Sequence, residues 1–311
     1  MAGANTQTTG SSGLTPEMKE YYERVLLERL KDTLVFVKYG QKKKLPKNSG
    51  KTISFRRFDN LPVATTPLTE GVTPDGNSLK VTEIKCTVAQ YGDYVTISDV
   101  LNLTAIDPIL DETADMQGDQ AALTVDTIVR DVLVGGTNVL YAGGKTARDT
   151  ITPADKLTSL EIRKAVRAMK RNKVRPVEGG YYLCLLDADA EFDLQDDENW
   201  KFVSQYQAAE KIYSGEIGKL YGVKFVSNTN SKVFSKAGAE SADVHCSIVL
   251  GSNAFGVVDI EGSSSPEFIV KTDGGTNDPL NQRQTAGWKC MFATIILQQL
   301  AVLRIEHGAT A

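Results

Sequence analysis

Two periods divide this chain. Over Thr52–Phe58, Ile53 and Phe55 fall on one face and Ser54 and Arg56 on the other, the two-residue period of a strand. The same period returns over Leu79–Ser98, where Thr82, Ile84, Cys86 and Val88 alternate with Lys85 and Thr87. Between them, Asn60–Asn77 carries Pro62, Pro67, Pro74, Gly71 and Gly76 and reads as a long irregular tip. The run from Tyr39 to Pro74, with its return, is expected to form a β-ribbon arm with nothing of its own to pack against. A lone two-stranded ribbon is marginal in water, so it calls for a partner surface.

Helical spacing flanks the ribbon. Pro16–Lys38 places Tyr22, Val25, Leu26 and Leu30 on one stripe, with Thr15 as N-cap and Pro16 at the first helical position. Downstream, Asp107–Pro108 opens a second helix, which Gly135–Gly136 ends. Its apolar stripe is Ala121, Val125, Ile128, Val129 and Val132, and Asp111, Glu112, Asp115 and Asp119 crowd its N-terminal half. At 1.5 Å per residue, Pro108–Val134 spans roughly 40 Å, a beam for other elements to lean on.

Residues 135–158 read as loop. Leu160–Lys173 is amphipathic, with Ile162, Ala165, Val166 and Met169 inward and Arg163, Arg167, Lys170 and Arg171 on another face. Beyond it the chain is mixed α/β. Strands are expected at Tyr181–Leu186, Val223–Val226, Ser247–Leu250 and Phe268–Lys271, a helix at Trp200–Ile212, and a β-rich close at Gly287–Ile305. The fold class is α+β.

Composition adds bounds. The 311 residues are 41% hydrophobic with a formal net charge of −4, enough for a large core and contrary to a basic body dedicated to nucleic acid. The four cysteines, Cys86, Cys184, Cys246 and Cys290, form no CxxC pair and read as reduced, buried thiols. Residues 1–13 are Ser/Thr/Gly-rich with no apolar signal segment and read as a floppy tail. Met291–Leu303 is too short and polar to span a bilayer, so no membrane role is expected.

Candidate chemistry is thin. Ser49-Gly50-Lys51-Thr52 and Gly143-Gly144-Lys145-Thr146 imitate a phosphate loop, but Leu45 and Val139 stand where its first glycine belongs. Plain turns are the better reading. Asp187, Asp189, Glu191 and Asp193 alternate, so an extended chain would share their carboxylates on one face; Phe192 occupies the glycine position of a calcium loop. A solvated acidic turn is the main reading and a weak cation site the alternative. His245 and Cys246 are adjacent, and neighbouring strand residues face opposite ways, which favours a structural histidine over a nucleophile pair. No catalytic residue, metal or cofactor is expected. Two basic stretches remain: Lys42, Lys43, Lys44, Lys47, Lys51, Arg56 and Arg57, and the Arg163–Arg175 cluster. They read as solvated faces, as nucleic-acid contacts, or as contacts to an acidic protein surface such as the start of the long helix.

Three stretches carry a family resemblance: YGQKKKLPKNSGKTISFRRF with ATTPLTEGVTP; DQAALTVDTIVRDVLVGGTNVLYAGG; and GEIGKLYGVKFVSNTN with the late GWK. The chain resembles the major capsid proteins of tailed bacteriophages with the Hong Kong 97 type fold, and more narrowly the coat-protein branch of N4-like podoviruses. That resemblance implies an N-terminal arm (1–50), an extended loop (51–98) and a peripheral domain (99–159 and 266–311) with a spine helix (108–134). It also implies an axial domain (160–265). It implies hexamers and pentamers closing into an icosahedral shell in the host bacterial cytoplasm. The enclosed double-stranded DNA would be held weakly and without sequence preference. The implied partners are further copies of the chain, a portal, and in many relatives a scaffolding or decoration protein. On this reading Arg56, Arg57 and Lys42–Lys44 of one subunit meet Asp111, Glu112, Asp115 and Asp119 of the next, and Arg163, Arg167, Lys170 and Arg171 face DNA. The alternatives are a nanocompartment shell of the same fold and, more remotely, a nucleotide-binding enzyme.

Overall fold

The computed structural model describes residues 21, 24–27, 34–46, 48, 50–58, 61–68, 70–73, 75–104, 109–177, 179–204, 216–259, 266–271, 278, 280 and 282–310. Most of the expected Pro16–Lys38 helix, the Asp107–Pro108 start and the end of the Trp200–Ile212 helix lie outside them. Within them, 24–27 are helical and Leu26 is fully buried. The first helix does not reach Lys38, because Phe36–Tyr39 form a 3-10 turn.

The ribbon is present: β2 (Thr52–Phe58) pairs antiparallel with β3 (Val81–Thr87) along all of both strands. Its companion from the arm, β1 (Gln41–Lys43), runs parallel to β11 (Phe255–Val258), which pairs with β14 (Thr294–Ile296). The return then leaves the ribbon. β4 (Ala89–Ser98) pairs along its full length with β13 (Arg283–Phe292), which also pairs with β12 (Glu267–Lys271). After the short α1 (Asp99–Thr104) comes the long helix α2 (Ile109–Val134), whose 26 residues span roughly 39 Å.

Ala121, Val125 and Val129 of α2 are buried as the stripe predicts, but Ile128 and Val132 sit at its border. The buried face instead takes in Ala114, Gln117, Gly118, Ala122 and Leu133. Small residues there let the helix lie close on β13, and Gln117 donates Nε2 to the Ala286 carbonyl at 2.7 Å. Trp288 of β13 donates to Gln120, which donates to Asp93 of β4, tying helix and sheet together.

The body is a seven-stranded mixed sheet. Its order is β5 (Val139–Tyr141), β15 (Val302–His307), β10 (Val244–Leu250), β6 (Tyr182–Leu186), β8 (Val223–Ser227) and β7 (Glu216–Leu220), with β9 (Val233–Phe234) beside β10. β13 thus lies with β4 and α2, whereas β15 and β5 belong to this larger sheet. β6 and β10 are buried throughout; β6 is a run of apolar and aromatic residues, and β10 also buries His245 and Ser247, which hydrogen-bond there. The amphipathic α3 (Ser159–Arg171) buries Ile162, Ala165, Val166 and Met169, as expected.

Two further elements depart from the sequence reading: the stretch 135–158 expected as loop contains the strand β5, which pairs with β15, and the acidic run is not a turn. Ala188–Asp196 is a helix, α4, not a solvated acidic turn, followed by α5 (Glu198–Ser204). The carboxylates that alternation would align are therefore scattered: Asp187 and Asp193 are buried and Asp189 is exposed. Neither phosphate-loop look-alike opens a helix. Lys51 leads into β2, and Gly143–Lys145 form a 3-10 turn and its cap, with Lys145 Nζ 3.8 Å from Asp155.

Candidate assembly surfaces

The ribbon divides along its length. At its base Ile53 and Phe55 are buried in the core, so the expectation that it packs on nothing of its own holds only further out. Phe55 lies flat on Gly256 of β11, where an added Cβ would stand 2.5 Å from the ring. Arg57 donates Nη1 to the Leu297 carbonyl at 3.2 Å, and Lys43 donates to the Ser54 carbonyl. Beyond the base, Phe58 (65%), Leu61 (54%), Val63 (82%), Leu68 (79%), Val72 (62%) and Leu79 (69%) are exposed.

The expected charge partners are placed as follows. Arg56 sits across the ribbon from Glu83, whose carboxyl is held below the usual range by Ser54 first and then by Lys85 and Arg56. Lys42, Lys43 and Lys44 are exposed on the arm. Glu112 of α2 is exposed, and Asp111, Asp115 and Asp119 are half-buried on the helix flank. The four cations of α3 do come together. Arg163, Arg167, Lys170 and Arg171 line a cleft of about 390 Å³ with Val166 and Tyr221, and the Arg163 guanidinium lies 5.4 Å from the Tyr221 ring centre. Among the described residues no acidic side chain lines that cleft.

Sequence reasoning missed two buried polar clusters. Asp126, on the buried face of α2, accepts the backbone N–H of Val35 at 3.1 Å and of Phe36 at 2.8 Å, latching the arm to the long helix. Burial pushes its carboxyl up, and the amide bonds partly offset that rise. The signal was an acid on an apolar stripe, at the i+1 position after Val125. In the body, Glu306 is fully buried. Arg148 grips it with two bonds, Nε to Oε2 at 2.7 Å and Nη2 to Oε1 at 2.8 Å, and Arg304 adds an ion pair at 2.7 Å. Arg148 also lies 3.5 Å from the Phe234 ring centre.

His245 and Cys246 do face opposite ways. His245 Nδ1 bonds Asp187, and its ring stacks on His307 at 6.0 Å. His307 bonds Ser247 at 2.9 Å and the Gly308 carbonyl at 2.7 Å. The Asp187 bond raises His245, while burial lowers the neighbouring His307. Cys246 is buried and its thiol pushed up to about 12, leaving no thiolate for nucleophilic work. Among the described residues no helix is long and apolar enough to cross a membrane.

Comparisons with known proteins agree with this architecture. The chain's fold matches the capsid of Ralstonia phage GP4 with a TM-score of 0.71 at 18% identity over 88% of both chains. It matches the capsid of the cyanophage P-SCSP1u with a TM-score of 0.65 at 16% identity over 89% of both. A virus-like particle from Pyrococcus furiosus shares the fold more distantly, with a TM-score of 0.54 at 10% identity over 93% of this chain and 99% of that one. A search of curated proteins finds no match. The profile of the family described as phage capsid protein matches residues 81–305, from the first residue of β3 into β15. The chain therefore belongs to the phage capsid protein family, and it is a structural shell protein with the Hong Kong 97 type fold.

Proposed function

We propose that copies of this chain join edge to edge, each laying the outer half of its ribbon on an adjacent copy. The copies form hexamers and pentamers that close an icosahedral shell around double-stranded DNA. The observation that carries this is the ribbon's division: a base fixed to its own body, and an outer half that presents six large apolar side chains to solvent. Exposed apolar surface of that extent marks an interaction site. A head-to-tail contact between identical copies closes into a ring when its rotation permits, the geometry that rings of five and six require.

Charge supports the same contact. Lys42, Lys44 and Arg56 would meet Asp111, Glu112, Asp115 and Asp119 of the next copy, while Arg57 and Lys43 hold the ribbon's base within their own chain. The seven-stranded sheet with α3–α5 corresponds to the axial domain, now including β5 and β15, and α2 with the β12–β13–β4 sheet to the peripheral domain. The α3 cleft would hold phosphate groups of the packaged DNA, since four cations share it without an acid; one cleft on a chain of net charge −4 gives a weak, sequence-blind grip. A shell of this kind locates the chain in the virion, is assembled in the host cytoplasm, and needs a portal, with scaffolding and decoration proteins as further partners.

The test is deletion of Asn60–Asn77. The shortened chain is expected to keep the circular dichroism and melting temperature of the body while forming no shells by electron microscopy. Normal shells from the shortened chain would sink the proposal. Nuclease-resistant DNA inside native particles separates a virion from a compartment that encloses protein cargo.

A further inference from the structure

Three donor atoms from two elements converge at one end of the seven-stranded sheet. They are a ring nitrogen of His245 and one carboxylate oxygen each of Asp187 and Asp189, all within 4.8 Å of one another. His245 lies on β10; Asp187 directly follows β6; Asp189 is in the first turn of α4.

The way Asp187 is used is unusual. It occupies the N-cap position of α4, where an aspartate ordinarily accepts amides of the first turn. It makes no such bond, and its side chain turns to His245 instead. Its other carboxylate oxygen, Oδ1, is buried and has no hydrogen-bond partner, on a residue only 8% exposed. An unpartnered anionic oxygen in that setting is costly unless something positive meets it. On the solvent side, Asp189 Oδ2 stands 4.0 Å from His245 Nδ1, on a side chain that is 62% exposed. An ion could reach the cluster past that side chain without any backbone movement.

We propose that Asp187, Asp189 and His245 form a binding site for a divalent transition-metal ion, with water completing its shell. One imidazole and two carboxylates suit zinc, and three protein ligands with an open fourth position are a recurrent zinc arrangement. Bonds of about 2.1 Å at tetrahedral angles place donors roughly 3.4 Å apart. Asp187 and His245 therefore part slightly to admit the ion, and Asp189 closes in by rotating an exposed side chain. The ion would clamp α4 to β10 and bring a positive charge to the buried Asp187 carboxylate. The site does not depend on the shell reading.

The experiment uses the full chain, stripped with chelator and dialysed, titrated with zinc chloride by calorimetry and with cobalt(II) by visible absorption. Expected are one zinc per chain, the d–d bands of a low-coordinate cobalt site, and a higher melting temperature with metal. Asp189→Asn should weaken zinc binding at least tenfold while leaving the metal-free melting temperature unchanged. Glu191→Gln, one turn away, should bind as the natural chain does. His245→Gln should abolish the cobalt bands; if that variant fails to fold, Asp189→Asn still decides. Substoichiometric binding at micromolar zinc, or unchanged affinity in Asp189→Asn, overturns the site.

Discussion

The strand β10 of the body buries all seven of its residues, whereas β3 of the ribbon buries none. Both are seven-residue strands with regular antiparallel partners, so local backbone pairing does not separate them. The difference lies in what covers their faces. β10 has neighbours on both edges and helices to pack beneath, and its energy is closed within one chain. Among the described residues β2 and β3 pair only with each other, and cover is found at the Ile53 and Phe55 end. The contrast separates a part whose faces are covered within one chain from a part left largely exposed, and the proposed assembly rests on that division.

Substitutions at three positions sharpen that contrast. The largest effect is expected from Glu306→Ala, which strands Arg148 and Arg304 around a buried gap. Breaking such a pair costs about 3–5 kcal/mol, read as a loss of body stability in chemical denaturation. A loss confined to assembly, with the body unaffected, would contradict the division. Next comes Phe55→Ala, which empties the seat over Gly256. Core Phe→Ala changes cost about 3–5 kcal/mol when the whole fold depends on them. Here the expected loss lies at the lower end, because the site joins the ribbon to the body. Hydrogen exchange should quicken over β2 and β3 and stay slow over β10; uniform quickening would show that the ribbon is integral to the body.

The smallest effect is expected at Asp126, the arm latch. Asp126→Ala leaves the Val35 and Phe36 amides without their acceptor, at about 1–3 kcal/mol. Asp126→Asn keeps an acceptor oxygen and removes a buried charge, so it should be neutral or stabilising at pH 7. The sign with pH follows from the raised carboxyl. The folded chain holds the proton more tightly than the unfolded one, so this contribution is full below the ordinary aspartate value of about 3.9 and is lost as pH rises through the raised folded value. Melting curves across that range should show a slope in the natural chain that Asp126→Asn lacks. An identical slope in both would remove the latch from the account.

Much of the architecture was legible because period is a local property. Ile53 and Phe55 announced their shared face, Ile162, Ala165, Val166 and Met169 theirs, and the Tyr181–Leu186 and Ser247–Leu250 runs their strands. The acidic run at Asp187–Asp193 reads as a solvated turn because four carboxylates in seven residues suggest a solvent-facing segment, whereas its backbone forms a helix that buries Asp193. The four cations on α3 line one cleft, since helical spacing alone puts them on one side. The latch at Asp126 was invisible, because its partners are backbone amides some ninety residues earlier.

By itself the sequence determined the ribbon, the long helix, the amphipathic α3, the α+β class and the resemblance to phage capsid proteins. All of these rest on spacing within short windows or on extended runs of residue identity. Only the tertiary structure decided that β4 leaves the ribbon for β13, that β15 joins the body, and that the ribbon is seated at one end on Gly256. It also brought His245 to Asp187 and Glu306 between two arginines. Asp187 and His245 are 58 positions apart, and Arg148 and Glu306 are 158 apart. No local period encodes such contacts; they are fixed when whole faces find the one arrangement that buries apolar surface and leaves few charges unpaired.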